Sequence, residues 1–179
     1  MVKKGRKLVF ATLAATAALA SAGENIARGK SYSFTRPANY AGCLDKDGTA
    51  LTDGRGAKGK GTIWTLPGTV GWQNGDDFTV GVRVDLGRVE SLSGFSFEFA
   101  AGAAGVSWPT FVNVYVSDDG KDWTFVGDLY ARSREENGAP AMDGYAVYRA
   151  RSETMPAKGR YVGFYVRTRS YCFCDEVEV

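Results

Sequence analysis

Cys172 and Cys174 stand two apart near the end of the chain, followed at once by Asp175, Glu176 and Glu178 in SYCFCDEVEV. Thiols and carboxylates at this density admit three readings: a metal site, a redox pair, or a closing strand. On a strand, residues two apart point to the same face, and their Cα atoms lie about 6.5–7 Å apart, at or past the limit for a disulfide. A Cys172–Cys174 bridge is therefore not expected. A lone C-x-C without histidine is also a poor zinc or redox motif. The structural reading is left, with Cys43 as the third thiol of the sequence.

The chain contains no histidine. Ser-His-Asp and Cys-His nucleophiles are thereby excluded, as are nearly all zinc hydrolase sites. A glycosidase or lyase would have to use paired carboxylates, and Asp85, Glu98 and Asp128 are available. Their positions read as outward strand faces or turns, and no spacing singles out an acid and a base. The basic stretch RGAKGKG (Arg55 to Gly61) lacks the phosphate-loop spacing and no helical pattern follows it, so it reads as a mobile loop. A non-catalytic protein is expected.

The compartment is written in the first residues. Lys3, Lys4, Arg6 and Lys7 precede an apolar run from Leu8 to Ala20, and Ala20-Ser21-Ala22 supplies a small-x-small cleavage site. Residues 1–22 are expected to be a signal peptide, and the run is too short and alanine-rich for a membrane anchor. The expected localisation is secreted, periplasmic or extracellular. The whole chain carries 22 basic and 20 acidic residues, of which the leader holds four basic ones. The remainder is slightly acidic, which gives no argument for nucleic acid or an anionic membrane as partner. Residues 23–179 suffice for one domain with a core and not for two; a monomer is expected.

The elements that must position these groups are strands. FTVGVRVDLG (Phe78 to Gly87) alternates Phe78, Val80, Val82 and Val84 against Thr79, Gly81, Arg83 and Asp85. GFSFEFA and FVNVYVS alternate likewise, and Asp119-Gly120 is a favoured hairpin pair before KDWTFVG. With KSYSFT, YAVYRA, RYVGFYVR and the closing YCFCDEVEV, about eight short strands are expected. A long irregular stretch, Arg36 to Gly61, separates the first from the rest. The pattern predicts an all-β, antiparallel β-sandwich or jelly roll with no helical layer.

Several motifs occur in a telling order: NIARGKSYSF, LTDG (Leu51 to Gly54), VRVDLG, VYVSDDGKDWTFVG (Val114 to Gly127), RYVGFYV and CDEVEV. Their succession resembles the discoidin, or coagulation-factor type C, superfamily with its galactose-binding-like jelly roll. The resemblance spans nearly all of residues 23–179. Many members are carbohydrate-binding modules of secreted glycan-degrading proteins, so it implies a glycan or polysaccharide as partner. An extracellular protein-binding or adhesive domain is the alternative, since both share the fold.

The resemblance also implies a structural Ca2+. Its ligands would be Asp53, Thr62 (two residues before Trp64) and Glu176, with carbonyls of Ala50 and Arg55; calcium takes six to eight such hard oxygens. Between Asp53 and Thr62 this chain has GRGAKGKG, longer than the usual loop and carrying three positive charges. In the related fold the LTDG loop lies beside the final strand. With export favouring oxidation, this implies a Cys43–Cys174 disulfide, or failing that Cys43–Cys172.

Sugar recognition needs an aromatic face with hydrogen-bonding groups around it, and in related modules the loops at one end of the sandwich supply both. Here they carry Tyr40 in RPANYAG, Trp108 in AGAAGVSWPT, and Arg167, Arg169 and Tyr171 in RTRSY. Trp64, Trp72 and Trp123 read instead as core or loop anchors. The histidine that many galactose-binding relatives place in the first binding loop is missing, which argues against galactose itself.

Overall fold

The computed structural model describes residues 23–179; the expected signal peptide lies outside the described residues. Seven strands appear in chain order: β1 (Tyr32–Phe34), β2 (Val70–Leu92), β3 (Phe95–Ala101), β4 (Phe111–Ser117), β5 (Thr124–Asp128), β6 (Ala146–Ser152) and β7 (Ala157–Glu178). The two closing runs expected as separate strands join into β7, which bends where Ser170 takes a left-handed φ of 62°. All pairings are antiparallel.

Two layers arise because β2 and β7 each serve both. Val80–Val166 and its neighbours pair the middle of β2 with the first half of β7, flanked by β1 on one side and by β4 and β5 on the other. Val70–Cys174 pairs the start of β2 with the second half of β7, followed by β3 and β6. The layers face each other where Phe164 of one packs on Phe95 and Phe97 of the other, with ring centroids 6.2 and 5.8 Å apart. The inward rows of the alternating segments (Val80, Val82, Val84; Val112, Val114; Val162, Phe164) are buried. Each such side chain contributes about 1.5–3 kcal/mol relative to exposure. The sandwich expected from the alternation is the one observed.

One element departs from the all-β expectation. Helix α1 (Leu129–Asn137) follows β5, and Asp128 caps it by accepting from the backbone N–H groups of Tyr130 (3.0 Å) and Ala131 (3.2 Å). The same carboxylate accepts from Val112 N–H at 3.2 Å, tying the helix to β4. Asp128→Ala is expected to cost about 1–2 kcal/mol, read as a lowered urea midpoint; an unchanged midpoint would deny the cap any role. Among the described residues no helix is long and apolar enough to cross a membrane.

The disulfide expectation is corrected. Cys43, Cys172 and Cys174 are all free and buried. Cys172 and Cys174 point into the main core, whereas Cys43 packs with Phe173 in a second cluster on the other side of β7. Alternation along β7 puts Phe173 and its two cysteine neighbours on opposite faces. Neither a Cys43–Cys174 nor a Cys43–Cys172 bridge can form without passing through the sheet. Cys43 instead donates its S–H to the Trp64 carbonyl at 3.3 Å.

Candidate functional site

The long loop before β2 is pinned to that strand by Gly71. Its carbonyl accepts from Asn39 and Tyr40 N–H, both at 3.1 Å, and its N–H donates to the Cys43 carbonyl at 2.8 Å. A Cβ at Gly71 would lie 2.7 Å from the Phe173 ring and 2.9 Å from Tyr40 Cβ. Only the missing side chain lets loop and strand approach so closely. Trp64, in a short 3-10 turn at Ile63–Thr65, continues the cover by packing on Phe173 and Tyr145 at 5.3 and 5.4 Å. The loop thus roofs the outer face of the β2–β7–β3 layer.

At the end of that roof two half-exposed tyrosines meet. Tyr40 stands edge-on to Tyr171 at 6.1 Å and to Phe173 at 4.8 Å, and Tyr171 lies parallel to Phe173. Asn39 and Gln73 rim the pair through reciprocal hydrogen bonds: Asn39 Nδ2 donates to the Gln73 carbonyl (3.1 Å) and Gln73 N–H to Asn39 Oδ1 (2.8 Å). Arg169 is exposed on the adjacent bend of β7, across from Asp77 of β2. The result is a shallow aromatic surface with an amide at its edge, suited to the apolar face and hydroxyls of a sugar ring.

The sequence-predicted binding residues divide. Tyr40 and Tyr171 are in contact, and Arg169 lies two residues before Tyr171 along β7. Arg167 points to the outer face of the other layer, where it pairs with Asp77 at 3.5 Å. Trp108 turns inward and packs on Phe99 and Tyr148 at 5.9 and 6.4 Å, with its indole N–H buried and without a partner. It packs against the core at the end of the sandwich and remains partly exposed. Phe173 and Tyr145 were not among the expected residues. Phe173 follows the strand alternation, but alternation alone does not say that its outward face is roofed.

The acidic ending forms a second cluster. Cys174 and Val177 both point into the core, so the pairing irregularity between Glu98 and Phe99 turns Asp175 and Glu176 together toward the loop. Asp175 accepts from Ala57 N–H at 2.7 Å, and Glu176 accepts from Gly54 and Arg55 N–H, each at 3.2 Å. The basic loop, expected to be mobile, is therefore clamped along its first half. Burial, with the charge of Glu98 added, pushes the Asp175 carboxyl up to about 7; burial, with Asp53 nearby, pushes Glu176 up to about 8. Asp175 Oδ1 is buried with no partner.

A hard cation beside Glu176 and Asp53 suits this chemistry, because it would offset buried negative charge with oxygen donors. Among the described residues no three acidic, cysteine or histidine side chains converge on one point, so carbonyl and hydroxyl oxygens would have to complete the shell. Asp53 Oδ1 accepts from Arg55 N–H at 2.7 Å, whereas Thr62 opens the 3-10 turn and its hydroxyl makes no capping bond there. The three carboxylates considered for catalysis each have a structural partner. Asp85 binds Arg160 in a two-bond fork (2.8 and 2.7 Å), Glu98 binds Arg149 (2.7 Å), and Asp128 caps α1.

The family profile of the F5/8 type C domain matches residues 35–177. No curated protein matches the chain. Among solved structures, a mutant of chitosan-binding module 1 from the Paenibacillus sp. IK-5 chitosanase/glucanase aligns with a TM-score of 0.54 at 15% identity, covering 86% of this chain and 96% of that one. Chitosan-binding module 2 of the same enzyme, in complex with chitotriose, gives 0.52 at 20% identity, over 86% and 98%. Module CBM32-5 from Clostridium perfringens, in complex with GalNAc-β-1,3-galactose, gives 0.52 at 12% identity, over 82% and 91%. At these identities the likeness is one of fold.

Proposed function

The chain belongs to the F5/8 type C, or discoidin, family, and on that footing we propose that it is an exported, non-catalytic module that holds a glycan at the Tyr40–Tyr171 end of the sandwich. The observation that carries the reading is the half-exposed edge-to-face tyrosine pair, rimmed by Asn39 and Gln73, with exposed Arg169 two residues before Tyr171 in the chain. The two tyrosines receive the apolar face of a sugar ring while the rim groups take its hydroxyls. The fold-level neighbours that carry chitotriose and GalNAc-β-1,3-galactose make these the first ligands to try.

Calcium belongs to the proposal as a brace. Asp53, Glu176 and the Thr62 hydroxyl, with carbonyls of Ala50 and Arg55, would hold it, and the ion would neutralise the buried carboxylates and fix the loop on β7. Glu176 by itself already orients the loop through the Gly54 and Arg55 N–H groups.

A glycan array with the wild-type protein and with Tyr171→Ala tests the reading. Wild type is expected to select a narrow set of glycans, and Tyr171→Ala to bind them at least about tenfold more weakly. A blank array from folded protein would overturn the glycan reading in favour of a protein partner. Unchanged binding by Tyr171→Ala would move the site away from this end.

A further inference from the structure

The outer face of the other layer is not roofed. There the strand register aligns Arg83 of β2 with Gly163 of β7, Gly163 with Tyr115 of β4, and Tyr115 with Phe125 of the edge strand β5. The gap at Gly163 is filled by two rings from neighbouring positions. A Cβ on Gly163 would lie 2.8 Å from the Tyr165 ring and 3.0 Å from the Trp123 ring, and one on Gly81 would lie 2.9 Å from Tyr165. Glycine inside a strand weakens it; here two glycines let aromatic rings lie down on the sheet. Ring centroids run from Trp123 to Tyr165 (6.5 Å), to Tyr115 (5.2 Å), to Phe125 (5.2 Å). Phe125 is 54% exposed and the other three are half-exposed.

Arg83 sits within this row. Its guanidinium lies 5.2 Å from the Trp123 ring and 5.6 Å from the Tyr165 ring, and its Nε donates to the Tyr165 hydroxyl at 2.7 Å. Arg160 and Arg167 of the same layer have carboxylate partners, Asp85 and Asp77 respectively. Among the described residues no carboxylate lies within 4 Å of Arg83. The guanidinium is thus held in place by two rings and a hydroxyl, with its terminal nitrogens left for an anion from outside.

We propose that this sheet face is a second binding surface, for an acidic saccharide whose uronate carboxylate pairs with Arg83 while its ring faces rest on Trp123, Tyr115 and Phe125. The charge decides the ligand. Exposed rings alone would accept any flat apolar group, but a fixed, unpaired guanidinium among them calls for an anion attached to such a group. A uronic acid carries both on one ring. The inference shares with the proposed function only the ligand class, a saccharide, and uses none of the loop-end residues.

Calorimetric titration with trigalacturonate, and with neutral galactotriose as control, tests it in wild type, Arg83→Gln, Phe125→Ala and Tyr171→Ala. Wild type is expected to bind trigalacturonate and not galactotriose, more weakly as salt rises. Arg83→Gln and Phe125→Ala should each weaken this at least about tenfold. Phe125 lies on an edge strand and empties no core when truncated, so it decides the matter should Arg83→Gln unfold. Loss with Tyr171→Ala but not with Arg83→Gln would overturn the inference and move the uronate to the loop end. No trigalacturonate binding by wild type would also overturn it, whatever the array finds for the loop-end site. So would a concentration-dependent dimer abolished by Phe125→Ala in a protein that ignores trigalacturonate, which would assign the face to a second copy of the chain.

Discussion

Trp72→Ala is expected to remove about 4 kcal/mol of stability, a large share of the roughly 5–15 kcal/mol available to a domain. Trp72 is 1% exposed at the start of β2, packs edge-on to Phe34 at 5.0 Å, and donates its indole N–H to the Arg36 carbonyl at 3.0 Å. Truncation opens a cavity between β1 and β2 and orphans the carbonyl at the head of the long loop. The thermal midpoint should fall by about 10 °C. The loop that carries Tyr40 hangs on neighbouring Gly71, so glycan binding should weaken as well. Trp72→Phe should recover most of the stability by refilling the space without restoring the hydrogen bond. A change under about 1 kcal/mol in the alanine variant would contradict the packing described above.

In metal-free buffer the protein should lose stability as pH rises from 5 to 8.5. The Asp175 and Glu176 carboxyls are pushed up to about 7 and about 8, chiefly by burial, against about 4 in an unfolded chain. Between those values the folded state holds protons that the unfolded state has released, so unfolding becomes easier as pH rises through the window. Below pH 4 the sign reverses, because Asp85 is held below its ordinary value by its hydrogen bonds to Arg160 and loses that contribution on protonation. Maximum stability should therefore fall near about pH 4, and differential scanning calorimetry in EDTA would show it. Calcium binding the ionised carboxylates should raise the midpoint most at the alkaline end. Glu176→Gln should flatten the slope and blunt the calcium response. A midpoint that climbs steadily from pH 5 to 8.5 in EDTA would refute the burial argument for these two acids.

The contrast between Trp108 and Trp72 shows how far the sequence reached. Both were single aromatics outside an obvious alternating run. Trp72 reads as an anchor and is one, whereas Trp108, before Pro109 in a loop with no period, reads as a ligand platform and packs on Phe99 and Tyr148. Nothing local to SWPT says which way its indole turns; that depends on how β3 and the later strand β6 come together around it. Helix α1 escaped notice for a related reason. Only Leu129, Tyr130 and Ser133 of its nine residues are buried, too few to make an apolar stripe. The turn of Asp175 and Glu176 to a common side was equally illegible, because a bulge belongs to a pair of strands and not to one.

The sequence alone determined the inward rows of the sandwich, since a half-buried strand must repeat every second residue and that repeat is local. It also determined that neither a histidine-based nucleophile nor a histidine metal site is available. Only the tertiary structure decided what happens to the outward rows. The loop from Arg36 to Thr69 lies over Phe173, which leaves Cys43 on the opposite side of β7 from Cys172 and Cys174, while Arg83, Tyr115 and Phe125 face outward. Which face a loop covers is set by contacts such as those of Gly71 with Tyr40 and Phe173, between residues tens to a hundred positions apart. No periodicity in the chain encodes such contacts.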